Sequence, residues 1–118
     1  MSRARTALGG VGEGLVAAHL ERQGFRVVAR NVRFGRLEID LIARREALLV
    51  FCEVRTRSSR NFVDPIETID RAKCDRVRRA ALGWMQSQSL SACELRFDAA
   101  SVVLNDDEET LTYYESAF

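Results

Sequence analysis

Two short runs carry acid where a buried strand should carry none. They are Gly35-Arg-Leu-Glu-Ile-Asp-Leu-Ile-Ala43 and Leu49-Val-Phe-Cys-Glu-Val-Arg-Thr-Arg57. Their length and their aliphatic and β-branched content predict strands. Side chains alternate faces along a strand. Leu37, Ile39 and Leu41 are therefore expected on one face, with Glu38, Asp40 and Ile42 on the other. In the second run Val50, Cys52 and Val54 oppose Phe51, Glu53 and Arg55. The short polar link Arg44-Arg45-Glu46-Ala47 predicts an antiparallel hairpin. If the polar faces coincide, Asp40 and Glu53 converge beside Arg55. Burying paired carboxylates is costly unless a cation compensates them. Two carboxylates on adjacent strands suit oxygen ligation of Mg²⁺ or Mn²⁺. A neighbouring cation can stabilise charge building on a phosphate. The bland alternative is a surface hairpin whose charges pair with one another. The apolar residues around the acids (Ile39, Leu41, Ile42, Phe51, Val54) argue against it.

Three further residues could serve that cluster. Glu13 shares a helical face with Val16, Ala17 and Leu20, at i, i+3, i+4 and i+7. It is either an exposed first-turn acid or a group reaching over the sheet to the metal, and the apolar stripe favours the second. Lys73 is the only lysine in the chain. It lies midway between Ile69 and Val77 on an apolar stripe. Its head either snorkels to solvent or serves the carboxylates. Glu38 shares the expected Asp40 face and could support the ligands from outside. His19, the only histidine, lies off the Glu13 face and reads as a surface residue. A Ser/His/Asp or Cys/His triad would depend on it, and no GxSxG elbow is present. Gly9-Gly10-Val11-Gly12 precedes a helix without following a strand, so it is no dinucleotide fingerprint.

The elements that must position these groups follow in order. A helix is expected over 10–23, capped by Gly24, after a polar, frayed segment 1–9. Its early glycines weaken the first turn. They imply either fraying, which is slightly favoured, or close backbone approach to a ligand. Strands are expected over 25–33, 37–43, 47–56 and 95–104, with a short last one over 110–114. Asp64-Pro65 starts a long helix over 65–87, with an apolar stripe through Ile66, Ile69, Val77, Ala80, Ala81 and Trp84. Strands apolar on both sides call for a sheet covered by helices on both faces.

The chain has 118 residues, 47% of them apolar, which suits a single domain over 1–118. No run reaches membrane-span length and no signal peptide opens the chain, so a cytoplasmic protein is expected. Three cysteines without a CxxC pair read as reduced, packed thiols. Five acids and no Lys or Arg fall in 105–118, leaving 1–104 with 18 basic and 12 acidic groups, a net of +6. That body is compatible with a phosphate-bearing partner.

A strand Asp, then a strand Glu-x-basic, after a helical Glu, resembles the PD-(D/E)XK nuclease pattern. The order αβββαβ is that of the restriction-endonuclease-like fold. More closely, the chain resembles the YraN-like family of bacterial proteins. The matching pieces are Gly12-Glu13, Arg30-Asn31, Glu38-Ile39-Asp40-Leu41-Ile42, Phe51-Cys52-Glu53-Val54-Arg55-Thr56-Arg57, Lys73 and Arg96-Phe97-Asp98. The resemblance implies an α/β fold with a mixed central sheet flanked by helices on both faces. It implies an Mg²⁺- or Mn²⁺-dependent endonuclease acting on DNA, including branched or damaged DNA, distantly similar to Holliday-junction resolvases. Asp40 and Glu53 would be metal ligands, Glu13 the helical acid completing the site, and Arg55 the occupant of the catalytic-lysine position. Two departures stand out: Leu37 replaces the usual glycine before Glu-Ile-Asp, and Arg55 replaces lysine. Arginine stays protonated and cannot relay a proton, so Lys73 would have to supply the amine. A homodimer would allow symmetric cuts. The alternative is a non-catalytic module on the same scaffold that binds nucleic acid or protein.

Overall fold

Five strands form one sheet in the order β1-β2-β3-β4-β5 in a computed structural model. It describes residues 3–58, 71–88, 94–105 and 108–118, without the side chains of 3–9. The element order is α1 (Arg3–Arg22), β1 (Arg26–Phe34), β2 (Leu37–Arg45), β3 (Leu48–Ser58), α2 (Arg71–Ser87), β4 (Glu94–Leu104) and β5 (Glu109–Tyr114). The sheet is mixed: β3 runs antiparallel to β2 and parallel to β4. A parallel pair needs a crossover, and α2 lies within it. The expected start of α2 at Asp64-Pro65, the stripe residues Ile66 and Ile69, and Cys93 fall outside the described residues.

The helices cover opposite faces because each has one apolar stripe. On α1, Val16, Ala17 and Leu20 pack with Leu41, Ala43, Val50, Cys52, Ala100 and Val102. On α2, Val77, Ala80, Ala81 and Trp84 pack with Ile39, Ile42, Leu49, Phe51 and Phe97. Phe51 meets Trp84 edge-on at 6.1 Å and stacks on Phe97 at 5.4 Å. β3 is the central strand and is buried on both faces over Leu49–Cys52, which is why its first five residues are all apolar.

The first helix begins at Arg3, earlier than the expected residue 10. Ala, Leu and Arg are good helix formers, and they carry the helix through the segment expected to fray. Its end is a Schellman turn. Phe25 N–H donates to Leu20 O (3.0 Å) and Gly24 N–H to Glu21 O (3.0 Å), with Gly24 at φ +89°. Gly12 does provide a close approach, but to protein. A Cβ there would fall 1.8 Å from Thr56 Oγ1 and 3.0 Å from Thr56 Cβ. We expect Gly12→Ala to destabilise the protein by about 1–3 kcal/mol in urea denaturation, and Gly14→Ala, which meets nothing within 4 Å, to cost nothing.

Strict alternation fails in β2, and this matters for the site. Leu37 and Ile39 pack on the α2 face as expected for partners two apart, but Leu41 packs on the α1 face and Ile42 on the α2 face. The break lies at Asp40. The facing strand breaks in the same place: Ala29 and Val32 both pack on the α2 face, opposite Ile42 and Ile39. Between them Asn31 takes a left-handed φ of +52°, which Asn tolerates better than most residues.

Candidate functional site

The site forms where β2 and β3 part. Their register runs from Arg45↔Leu48 to Leu41↔Cys52. Beyond it, Val54 N–H donates to Asp40 Oδ2 at 2.8 Å, so the carboxylate stands in for a ladder carbonyl. Burial, then the charges of Glu13, Glu53 and Glu38, push the Asp40 carboxyl up from 3.8 to about 6, against the pull of the Val54 hydrogen bond. Repulsion from the neighbouring acids contributes, but burial outranks it.

Behind Asp40 stands α1. Glu13 is half-buried there, and its pKa is raised by burial and then by Glu38. Asn31, with its amide nitrogen turned to the carboxylates, donates to Glu38 Oε1 (3.0 Å) and Glu13 Oε1 (3.2 Å). Asn31 entered the sequence reading only as a motif residue. Its exposed strand position disguised a bridging amide that its left-handed backbone aims. Arg33 pairs with Glu38 at 3.5 Å, but its side chain is 76% exposed, so that pair contributes little.

From the α2 face, Lys73 Nζ reaches Glu53 Oε1 at 2.5 Å. Arg55 Nη2 lies 3.1 Å from the same oxygen. All three side chains are at most a third exposed. Among the described residues, Glu53 Oε2 is buried with no hydrogen-bond partner, and so is Arg55 Nε. The structure thus brings Asp40, Glu13 and Glu38 into one charge neighbourhood and Glu53, Arg55 and Lys73 into another, with Asp40 and Glu53 as the link. Among the described residues, no three His, Cys, Asp or Glu side chains are grouped closely enough to hold a metal ion. Glu13, Asp40 and Glu53 are neighbours in charge, not a closed three-ligand cage.

A divalent cation fits the donor chemistry nonetheless. The carboxylates are hard oxygen donors. One buried oxygen of Glu53 lacks a hydrogen-bond partner among the described residues, and Asp40 holds a raised pKa that a bound cation would relieve. Asp40, Glu53 and, behind them, Glu13 are the residues that would hold it.

A third strand acid behaves differently. Asp98 on β4 is fully buried. It accepts from Arg96 Nε (3.0 Å) and Nη2 (3.0 Å), Tyr113 Oη (2.5 Å) and Ser116 N–H (3.0 Å). This is a saturated structural anchor. Burial and then Asp98 push the neighbouring Cys52 thiol well above its usual range, so it packs as a protonated thiol. His19, expected on the surface, is half-buried, with its ring 5.0 Å from that of Tyr113.

The family model described as "Uncharacterised protein family UPF0102" matches residues 12–102, a span that includes every candidate site residue. It is the YraN-like family to which the motifs pointed. The UPF0102 protein of Sorangium cellulosum is 44% identical over 119 residues, covering 98% of this chain and 83% of its own. That of Chlorobaculum tepidum is 42% identical over 109 residues, covering 92% and 84%. That of Syntrophotalea carbinolica is 34% identical over 118 residues, covering 100% and 96%. Among the described residues, no helix is long and apolar enough to cross a membrane.

Proposed function

We propose that this chain, which belongs to the uncharacterised protein family UPF0102, is a metal-dependent nuclease that cuts DNA. The αβββαβ order through β4 supports placing it with the restriction-endonuclease-like PD-(D/E)XK enzymes. The observation that carries the reading is the charge coupling of Asp40 and Glu53 where β2 and β3 part, with a buried oxygen on Glu53 that has no hydrogen-bond partner among the described residues and two cations on its other oxygen. Fold likeness alone would not establish a reaction.

When bound, Mg²⁺ or Mn²⁺ would supply Lewis-acid polarisation of a phosphodiester oxygen. The chain's own groups have separate duties. Val54 N–H fixes the orientation of Asp40, and the Glu13–Asn31–Glu38 bridge keeps two further carboxylates in its charge neighbourhood. Arg55 is permanently charged and neutralises negative charge on the reacting phosphate. Among the described residues, Lys73 is the one cation near Glu53 able both to neutralise and to exchange a proton. Branched or damaged DNA is the favoured substrate class, and a homodimer would make paired cuts.

One observation favours the second reading, a binding module without chemistry. Lys73 and Arg55 both sit on Glu53 Oε1, and that closed ion cluster could be purely structural. The deciding experiment is a cleavage screen over single-stranded, duplex, flap and four-way DNA with Mn²⁺. Cleavage of any of them that chelator abolishes supports the nuclease; intact DNA throughout supports the module. In an active protein, Lys73→Arg should lower turnover about 10²-fold with DNA affinity retained, and Arg55→Lys should keep or raise it. A rate unchanged in Lys73→Ala would show that Lys73 only packs.

A further inference from the structure

We propose that the groove lined by Phe34, Arg36, Leu37, Arg76, Arg79 and Ala80 holds an unpaired stretch of nucleic acid and leads it to Glu53 and Lys73. The inference rests on the nuclease reading and names the form of its substrate. The groove has a volume of about 330 Å³ and lies between the β1–β2 turn and α2. Arg76 and Arg79 are three apart on α2 and so share a helix face. Arg36 faces them from the turn.

Three features suit this occupant. First, the lining holds three guanidinium groups and no acid. Arg33, Arg55 and Arg96 are paired with carboxylates, whereas none of Arg36, Arg76 and Arg79 pairs with an acidic side chain among the described residues. Exposed, mutually repelling arginines fit a polyanion. Second, the floor is apolar and aromatic. The Phe34 ring lies against Gly83, where a Cβ would come within 2.7 Å of Cε1, so the helix backs one side of the ring. Cations at a rim with an aromatic ring below them match the way single strands are bound, phosphates on the cations and bases on the ring. Bases stacked inside a duplex could not reach that floor. Third, Leu37 also lines the recess of about 80 Å³ that contains Glu53, Lys73 and Phe118. The groove and the recess that holds Glu53 and Lys73 therefore adjoin at Leu37. The pocket on the α1 side, lined by His19, Phe25, Arg45, Arg96, Tyr113 and Glu115, lacks this character, because its Arg96 is already held by Asp98 and Glu115.

The test is fluorescence anisotropy with labelled oligo(dT) and a blunt duplex of equal length, in chelator so that nothing is cut. The wild type should bind oligo(dT) more tightly than duplex. Arg76→Ala and Arg79→Ala, both at exposed positions, should each weaken binding about tenfold and make the log–log salt slope shallower by about 0.7. Phe34→Leu should weaken it about tenfold as well, the scale of one lost base stack. Arg22→Ala, an exposed arginine at the end of α1, should bind as wild type. Unchanged affinity in Arg76→Ala and Arg79→Ala, or equal binding of duplex, overturns the inference even if Phe34→Leu misfolds. Cleavage with Mn²⁺ separates the two readings. Cleavage by a wild type whose arginine variants bind normally overturns the groove alone. Arginine-dependent binding without cleavage of any DNA keeps the groove and overturns the nuclease.

Discussion

Asp40→Asn is expected to make the metal-free protein more stable at neutral pH while reducing Mn²⁺-dependent cleavage about a thousandfold, a loss of several kcal/mol. The stability half follows from linkage. The Asp40 carboxyl sits at about 6 in the fold against an ordinary 3.8. As pH rises through that window the unfolded chain gives up its proton first, so stability falls and the full penalty is present above pH about 6. The shift is worth at most about 3 kcal/mol, and partial solvent screening reduces it to about 1–2. Asparagine keeps an oxygen for Val54 N–H and loses the charge. Urea denaturation should show the gain at pH about 7 and no gain at pH about 4. A variant less stable than wild type at neutral pH would show that the carboxylate is satisfied by the protein itself.

Asp98→Ala should have the largest effect on stability, a loss of about 3–5 kcal/mol. Removing that carboxylate takes the acceptor from the Tyr113 hydroxyl and the Ser116 amide together and leaves the Arg96 guanidinium to the mostly exposed Glu115, 3.7 Å away. Total stabilities are about 5–15 kcal/mol, so the variant should unfold at much lower urea or fail to accumulate. Tyr113→Phe, which leaves the other bonds intact, should cost about 1 kcal/mol. A near-neutral Asp98→Ala would show that the network is solvated rather than buried.

These two acids also show what a sequence can and cannot tell. The rule that singled out Asp40 and Glu53, acid within an apolar strand, applies equally to Asp98, which stands in the apolar run Leu95–Leu104. Only the partners separate them. Asp98 is saturated by three groups through four donor atoms, while Glu53 keeps a buried oxygen without a hydrogen-bond partner among the described residues. The apolar stripes of both helices, the β2–β3 hairpin and the mixed sheet were legible because burial imposes periods of 3.6 and 2. Lys73 on its stripe was legible for the same reason. The paired irregularity at Asn31 and Asp40 was not, because positive φ at Asn31 and the Val54–Asp40 hydrogen bond leave no trace in hydrophobic alternation. Strict alternation therefore put Ile39 and Leu41 on one face. The Arg36–Arg76–Arg79 groove was equally hidden, since it joins a turn to a helix distant in sequence.

The central claim is that Asp40 and Glu53 hold a divalent cation, and calorimetric titration of Mn²⁺ into the wild type and Asp40→Ala at neutral pH tests it most directly. The wild type should bind Mn²⁺, with proton release that grows as the pH is lowered towards about 6, because the raised Asp40 carboxyl must ionise to ligate, and the variant should show no binding. Equal affinity in both proteins, or no binding by the wild type, would contradict the claim.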